Sequence, residues 1–150
     1  MELDFFVVVA LSGILATYLH LVMGPWGGRV GMFPLDFSRV MADLTYGDSF
    51  EGQASYWGGQ IAVFFNGILL ALLYATVVAQ YLPGDPAVRG LIDGFILFLG
   101  SGLFFIPFIL KEGFFLSHAD RNAWLPLLFV HLVYGLVLGW LSPILGYTAA

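Results

Sequence analysis

The chain has 150 residues, of which 60% are hydrophobic and only 10% are charged. Because a water-soluble domain has about a quarter of its residues charged, this composition excludes the soluble class and predicts a membrane protein. The net charge of −5 argues against a nucleic-acid partner, and the lack of cysteine excludes sulfur-based zinc sites and thiolate haem ligation.

Four apolar stretches are long enough to cross a bilayer, which takes about 20 helical residues. We expect an all-α, polytopic membrane protein that forms a single transmembrane domain over residues 1–150, with four helices in a compact bundle. The first stretch has no basic segment before it and is longer than a signal-peptide core, so we interpret it as a retained helix. The predicted spans are residues 5–24, 56–82, 88–110 and 124–145.

The connections between the spans differ in character. "PLDFSRVMADLTYG", within the long first connection, places apolar and charged residues on opposite sides of a helix. This pattern predicts a short interfacial helix over residues 34–46, and an ordinary polar loop is the alternative. "PGDPA" at 83–87 predicts a tight turn that makes the second and third spans antiparallel neighbours. The apolar side of the interfacial helix comprises Leu35, Val40, Met41 and Leu44.

Small residues recur at a spacing of four in the spans, a pattern that lets helices approach closely in lipid. We expect these stripes to form the helix interfaces. Pro107, which follows Gly100, Ser101 and Gly102, predicts a kinked and irregular end to the third span. The stripes are Ser12, Ala16, His20 and Gly24; Gly67, Ala71, Ala75 and Ala79; Gly90 and Gly94; and His131, Gly135 and Gly139.

Basic residues near the span ends set the expected orientation. Four of the five Lys and Arg residues lie in or beside the first and third connections, which share one side of the membrane. The positive-inside rule therefore puts both termini on the non-cytoplasmic side.

Polar side chains within the spans gather in the predicted cytoplasmic half. His20 and His131 share helix faces with small residues, so we expect both to point into the bundle, with Gln60 and Asn66 as supporting residues. Polar groups buried in a membrane are candidates for function because they are costly to bury.

Three interpretations of these residues stay open. In the first, they only hydrogen-bond across helices and stabilise the packing. In the second, His20 and His131 ligate haem iron or chlorophyll magnesium, or donate to a quinone carbonyl; Ala16 would leave room beside His20 for a flat macrocycle. In the third, protons or ions move through His131, Asn66 and Glu112.

Two other pairs are interpreted without a ligand. Arg89 and Asp93, four residues apart, predict a structural pair at the outer end of the third span. Ser101 and His131 are expected at comparable depth, and a serine–histidine pair is the minimum for acyl transfer. However, "LGSG" at 99–102 does not match the G-x-S-G of rhomboid proteases, so we expect no enzyme activity. No H-E-x-x-H zinc motif and no glycine-rich phosphate loop is present in the sequence.

The segments "GILATYLHLVMG", "YWGGQIAVFFNGILLALLYA" and "PGDPAVRGLIDG" resemble a group of small four-helix bacterial inner-membrane proteins with no established function. In that group a histidine usually stands near the position of Gln60. The resemblance implies a multi-pass protein of the bacterial inner membrane and implies no activity.

We therefore expect a non-catalytic accessory subunit of a larger bacterial membrane complex, with an electron-transport assembly, respiratory or photosynthetic, as its host. One alternative is a haem-, chlorin- or quinone-binding subunit that uses His20 and His131. Another is a small transporter or proton pathway. The expected partners are the lipid bilayer and larger membrane subunits, with no nucleic acid and no soluble nucleotide, and the main interpretation requires no cofactor.

Overall fold

The structure is a computed structural model that describes residues 3–47 and 53–146. Over these ranges its regular elements are all helical and it contains no strand. Five α-helices are present, and the fourth continues as a π-helix over Ser101–Leu110. The α-helices are α1 (Leu3–Trp26), α2 (Phe37–Tyr46), α3 (Gln53–Thr76), α4 (Pro86–Gly100) and α5 (Trp124–Leu141).

Four helical stretches of the described residues are long and apolar enough to cross a membrane, which confirms that part of the prediction: Leu3–Val30, Ser55–Gln80, Pro86–Leu110 and Trp124–Leu141. The last one ends at Leu141 and not at the predicted residue 145. Ser142, at φ −81° and ψ 129°, is extended because the proline that follows it disfavours helical backbone.

α5 occupies the centre of the bundle, where it packs against α4 on one side and α1 on the other, and α1 packs in turn on α3. α3 and α4, although joined by the turn at residues 81–85, make only minor contact with each other. The expected packing of these two neighbours is therefore not found. A tight turn fixes where two helices begin and end, whereas their separation beyond it depends on side-chain packing, and here a gap remains between α3 and α4.

The interface of α4 and α5 is a seam of glycines. Gly90 lies against the backbone of Gly135 and Gly139, and Gly94 lies against the carbonyl oxygen of His131. A Cβ atom added at any of these glycines would overlap the backbone of the facing helix. The small-residue stripes of these two helices therefore form an interface, as the spacing predicts.

The interface of α1 and α3 uses small residues in the same way. A Cβ atom at Gly13 would meet Ala71, and one at Gly67 would overlap the side chain of Thr17. Ala16 on α1 is fully buried. The α1–α3 and α4–α5 interfaces are thus both formed by close approach of the helix backbones.

α2 packs against α3 near the N-terminal end of α3. Its N-cap is Asp36, whose carboxylate accepts from the backbone N–H of Arg39 at 3.0 Å and from the hydroxyl of Tyr56 in α3 at 3.3 Å. A helix is therefore present within the predicted range 34–46. We call this end of the bundle the α2 end; the turn at residues 81–85 lies at the opposite end.

Leu35 of the predicted apolar side is buried and Val40 and Met41 are half-buried, but the contact with α3 is made by other residues. Ser38 and Ala42 are buried and lie against Gly59 of α3, which approaches so closely that a Cβ there would overlap both. Leu44, expected on the apolar side, is 42% exposed. The residues of α2 that contact α3 are small because two helices pack through close approach of their backbones. Side-chain hydrophobicity matters less for such a contact.

The irregular end of the third span takes the form of the π-helix. Pro107 lies within it and lacks the N–H that an α-helical hydrogen bond would need. The segment ends at Lys111, whose φ of 61° turns the chain. Phe115, also at positive φ, then packs its ring on Gly102. The π-helix is thereby held against the following turn, which fixes the position of Ser101 at its first residue.

Candidate ligand-binding site

The histidines of α1 and α5 meet where these two helices pack. The ring centroids of His20 and His131 are 5.3 Å apart, with an angle of 64° between the ring planes. The ring of Phe37, the first residue of α2, lies 4.3 Å from that of His20, and the ring of Tyr134 lies 6.3 Å from it. Both histidines point into the bundle, as the small residues on their helix faces predict.

The hydrogen bonds of His131 define its tautomer. Nδ1 lies 2.8 Å from the carbonyl oxygen of Leu127, and Nε2 lies 3.0 Å from Oγ of Ser101. Because a carbonyl oxygen can only accept, Nδ1 carries the hydrogen, and in the neutral ring Nε2 accepts from the Ser101 hydroxyl. Both nitrogens of His131 are therefore in use.

His20 differs from His131 in having a nitrogen without a partner. Its Nε2 is buried and makes no hydrogen bond to any residue that the structure describes. An unmatched buried polar atom costs about 1–3 kcal/mol, and such atoms are nearly always satisfied by protein, water or ligand. His20 therefore offers one hydrogen-bonding position to a further molecule.

A cavity of about 670 Å³ adjoins the two histidines. Residues of all five α-helices and of the π-helix line it, so it fills the gap between α3 and α4 beneath α2. Its volume falls within the range of small-molecule sites, about 300–1,000 Å³. Most lining side chains are apolar, and the polar ones between the spans are Thr17, His20, Asn66, Ser101, His131 and Tyr134.

The two predicted supporting residues, Asn66 and Gln60, lie in different surroundings. Asn66 lines the cavity and is exposed, so its amide lies where the cavity opens between α3 and α4. Gln60 is half-buried and does not line the cavity. The structure thus brings His20, His131 and Asn66 to one site and leaves Gln60 outside it.

Three residues of this site were not among the predicted ligand residues. Tyr134 lies three positions after His131 on the same helix face, and its hydroxyl donates to the carbonyl oxygen of Gly67 at 2.6 Å. The sequence identifies Ser101 as part of the irregular end of the third span and as a candidate nucleophile, but not as a ligand residue. Phe37 lies outside the spans, and no sequence signal places its ring on His20.

A haem or chlorin ligated from both faces by His20 and His131 does not fit this arrangement. Such a macrocycle lies between its two imidazoles, whereas these rings are in direct edge-to-face contact. Ala16, expected to leave space beside His20, is buried by helix packing. Over residues 3–47 and 53–146, no three His, Asp or Glu side chains are grouped as a metal-ion site requires.

Asp93 lies further from the end of the helix than we expect for a residue paired with Arg89 at the outer end of the third span. α4 begins at Pro86, so Asp93 is two helical turns inside the helix, and its side chain is 4% exposed with Oδ2 unpartnered among the described residues. Arg89 donates to the carbonyl oxygens of Gly84 and Ala79, and thereby closes the turn between α3 and α4.

No known protein family, no curated protein and no solved structure matches this chain. The resemblance to small four-helix inner-membrane proteins therefore depends on the three short segments that carry it.

Proposed function

We propose that this chain is a non-catalytic membrane protein that holds one lipid-soluble molecule with a polar head in the cavity beside His20 and His131. The observation that carries the proposal is the unpartnered Nε2 of His20 beside a 670 Å³ cavity. A polar head at this position would satisfy the nitrogen, and an apolar tail would contact the remaining walls. Mostly apolar cavities with a few polar groups are the usual form of small-molecule sites.

The gap between α3 and α4 supports a ligand that arrives from the bilayer. These helices make only minor contact, and the exposed side chains of Asn66 and Phe105 line the cavity where it opens between them. A molecule dissolved in the acyl chains would therefore reach His20 without crossing the aqueous phase.

The orientation that we propose places the α2 end in the cytoplasm of a bacterium and both termini outside the inner membrane. Four of the five basic residues lie in or beside the connections at the α2 end: Arg29, Arg39, Lys111 and Arg121. The positive-inside rule favours this orientation.

A second proposal is that the chain packs against a larger subunit of an electron-transport assembly. The π-helix supports it, because Phe104 and Phe108 on this helix are 66% and 68% exposed, and aromatic side chains are enriched at protein interfaces. Extraction in a mild detergent should then recover the chain with a stoichiometric larger partner. Recovery as a lone chain at native expression levels would contradict this second proposal.

The binding proposal is tested by analysis of what the purified protein retains. We expect organic extraction of the detergent-purified protein, followed by mass spectrometry, to yield one small lipophilic compound in near-stoichiometric amount. His20→Phe should lose most of it, because phenylalanine keeps the ring and removes the nitrogen.

His118→Phe is the matched control for this experiment. His118 is exposed, and its Nδ1 lies 3.2 Å from the carbonyl oxygen of Lys111, in the turn after the π-helix. This variant should retain the compound in full. A wild-type protein that carries only bulk phospholipid, in the proportions of the surrounding membrane, would contradict the binding proposal.

A further inference from the structure

We infer that the molecule held in the cavity is a quinone: a planar, uncharged ring with carbonyl acceptors and an apolar tail. The inference depends on the proposed binding function and names the ligand class. Four features of the cavity lead to it, namely the charge along its depth, the rings around its inner end, the free nitrogen of His20 and the position of the gap.

Charge along the cavity favours an uncharged head. The polar side chains at its inner end are Thr17, His20, Ser101, His131 and Tyr134, none of which is an acid, a lysine or an arginine. The charged lining residues belong to the α2 end and comprise three acids and one base: Asp36, Asp43, Glu112 and Arg39. A phosphate or carboxylate head would be repelled at this rim and would find no fixed positive charge further in.

The rings around the inner end favour a flat head group. His20 contacts Phe37 edge to face, with 80° between the planes, and the ring of Tyr134 lies 6.3 Å from that of His20. Flat rings pack on such aromatic walls in offset or edge-to-face geometry. Because a macrocycle does not fit between the two imidazoles, the head group that we infer is a smaller ring at the cavity wall.

The free nitrogen of His20 suits both forms of a quinone. With hydrogen on Nε2, His20 donates to a carbonyl oxygen of the oxidised ring. In the other tautomer, Nε2 accepts from a hydroxyl of the reduced ring. His131 and Ser101 are already paired with each other, whereas the buried Nε2 of His20 has no partner among the described residues and is available to the head group.

The gap between α3 and α4 accommodates the tail. Apart from Asn66, the side chains that line it from these helices are apolar: Val63 and Leu70 on α3, and Ile96 and Leu97 on α4. A prenyl or alkyl tail attached to a ring at His20 would leave the protein here and continue among the acyl chains.

The test uses the full chain in nanodiscs of zwitterionic phospholipid that contain no quinone. The probe is a benzoquinone with a decyl tail, and decylbenzene is the matched compound without carbonyls. Binding is measured by equilibrium partition, with empty nanodiscs as the blank. We expect saturable one-to-one binding of the quinone, about tenfold weaker in His20→Phe, and unchanged in His118→Phe.

A second variant fills the cavity without changing the histidines. Gly100 lines the cavity, and a Cβ atom added there meets nothing within 4 Å, so Gly100→Leu enters open space. This variant should fold with wild-type thermal stability and lose quinone binding.

The outcomes separate this inference from the proposed function. Equal affinity for quinone and decylbenzene, or no loss in His20→Phe, would overturn the quinone assignment even if the native protein retains another lipophilic compound. If Gly100→Leu leaves both the native compound and the quinone bound as in wild type, the cavity is not the site and both proposals fail.

Discussion

The hydrogen bonds of His131 explain why an ionisable ring stands in an otherwise apolar helix. Its Nδ1 is satisfied within α5 by Leu127, and its Nε2 is satisfied from the neighbouring π-helix by Ser101. The imidazole therefore links two helices as a neutral, fully paired group, which is the form that an apolar interior tolerates.

Ser101→Ala tests this pairing. Removal of the hydroxyl leaves Nε2 of His131 buried without a donor, so we expect the free energy of unfolding to fall by about 1–3 kcal/mol. Reversible unfolding in mixed micelles measures the change. Ser117→Ala, at an exposed position outside the spans, should have no effect; equal stability of the two variants would show that the Ser101 hydrogen bond contributes nothing.

The same pair also tests the non-catalytic assignment. The ring of His131 is oriented by a backbone carbonyl and not by a carboxylate, so it lacks the partner that stabilises an imidazolium in serine hydrolases. We expect a fluorophosphonate probe to leave Ser101 unmodified. Covalent labelling of Ser101 that disappears in His131→Gln would show that the chain carries a hydrolase-type nucleophile.

At the level of residues, the sequence predicted inward-facing histidines because their neighbours at spacing four are small. The sequence did not show that Asn66 lines the cavity and Gln60 does not. Both are polar residues on one predicted span, and spacing alone does not show which helix face meets a cavity. Phe37 was missed for a different reason. Its contact with His20 depends on how α2 crosses α3, a tertiary arrangement that no local pattern encodes.

Among the helices, α4 and α5 pack along a seam of four glycines. Gly90, Gly94, Gly135 and Gly139 bring the two backbones into contact. Since helices in lipid associate through close packing more than through hydrophobic drive, these glycines should contribute strongly to stability.

Gly135→Leu should therefore disrupt the bundle. The added side chain would overlap the backbone of Gly90 and Gly94, and overpacking of this kind costs about 1–3 kcal/mol or more. Gly100→Leu is the control, because it makes the same change in open space on α4. A loss of thermal stability in the first variant and none in the second is the expected result; equal loss would contradict the seam.

Sequence reasoning located the elements better than it located their neighbours. Hydropathy identified the four long helices because a segment able to cross a bilayer is recognised by its length and its apolar composition. It could not show that α3 and α4 stand apart, since a side chain that faces lipid and one that faces another helix are equally apolar. For α2, the apolar side suggested an interfacial position, while the contact with α3 is made by Ser38 and Ala42.

For the whole molecule, the proposed orientation is testable because the chain contains no cysteine. Tyr81→Cys, 83% exposed at the end opposite α2, should react with a membrane-impermeant maleimide in intact spheroplasts. Ser117→Cys at the α2 end should react only after lysis. The reverse pattern would place the termini in the cytoplasm.

The opening between α3 and α4 determines how binding strength must be expressed. A ligand that enters through the side of the bundle is in equilibrium with ligand dissolved in the membrane leaflet. The concentration that governs binding is therefore its mole fraction among the lipids. A dissociation constant calculated from the total aqueous volume would then change with the ratio of lipid to protein in the sample, even when the contacts at His20 are identical. Affinities measured at two nanodisc concentrations should agree only after conversion to that mole fraction.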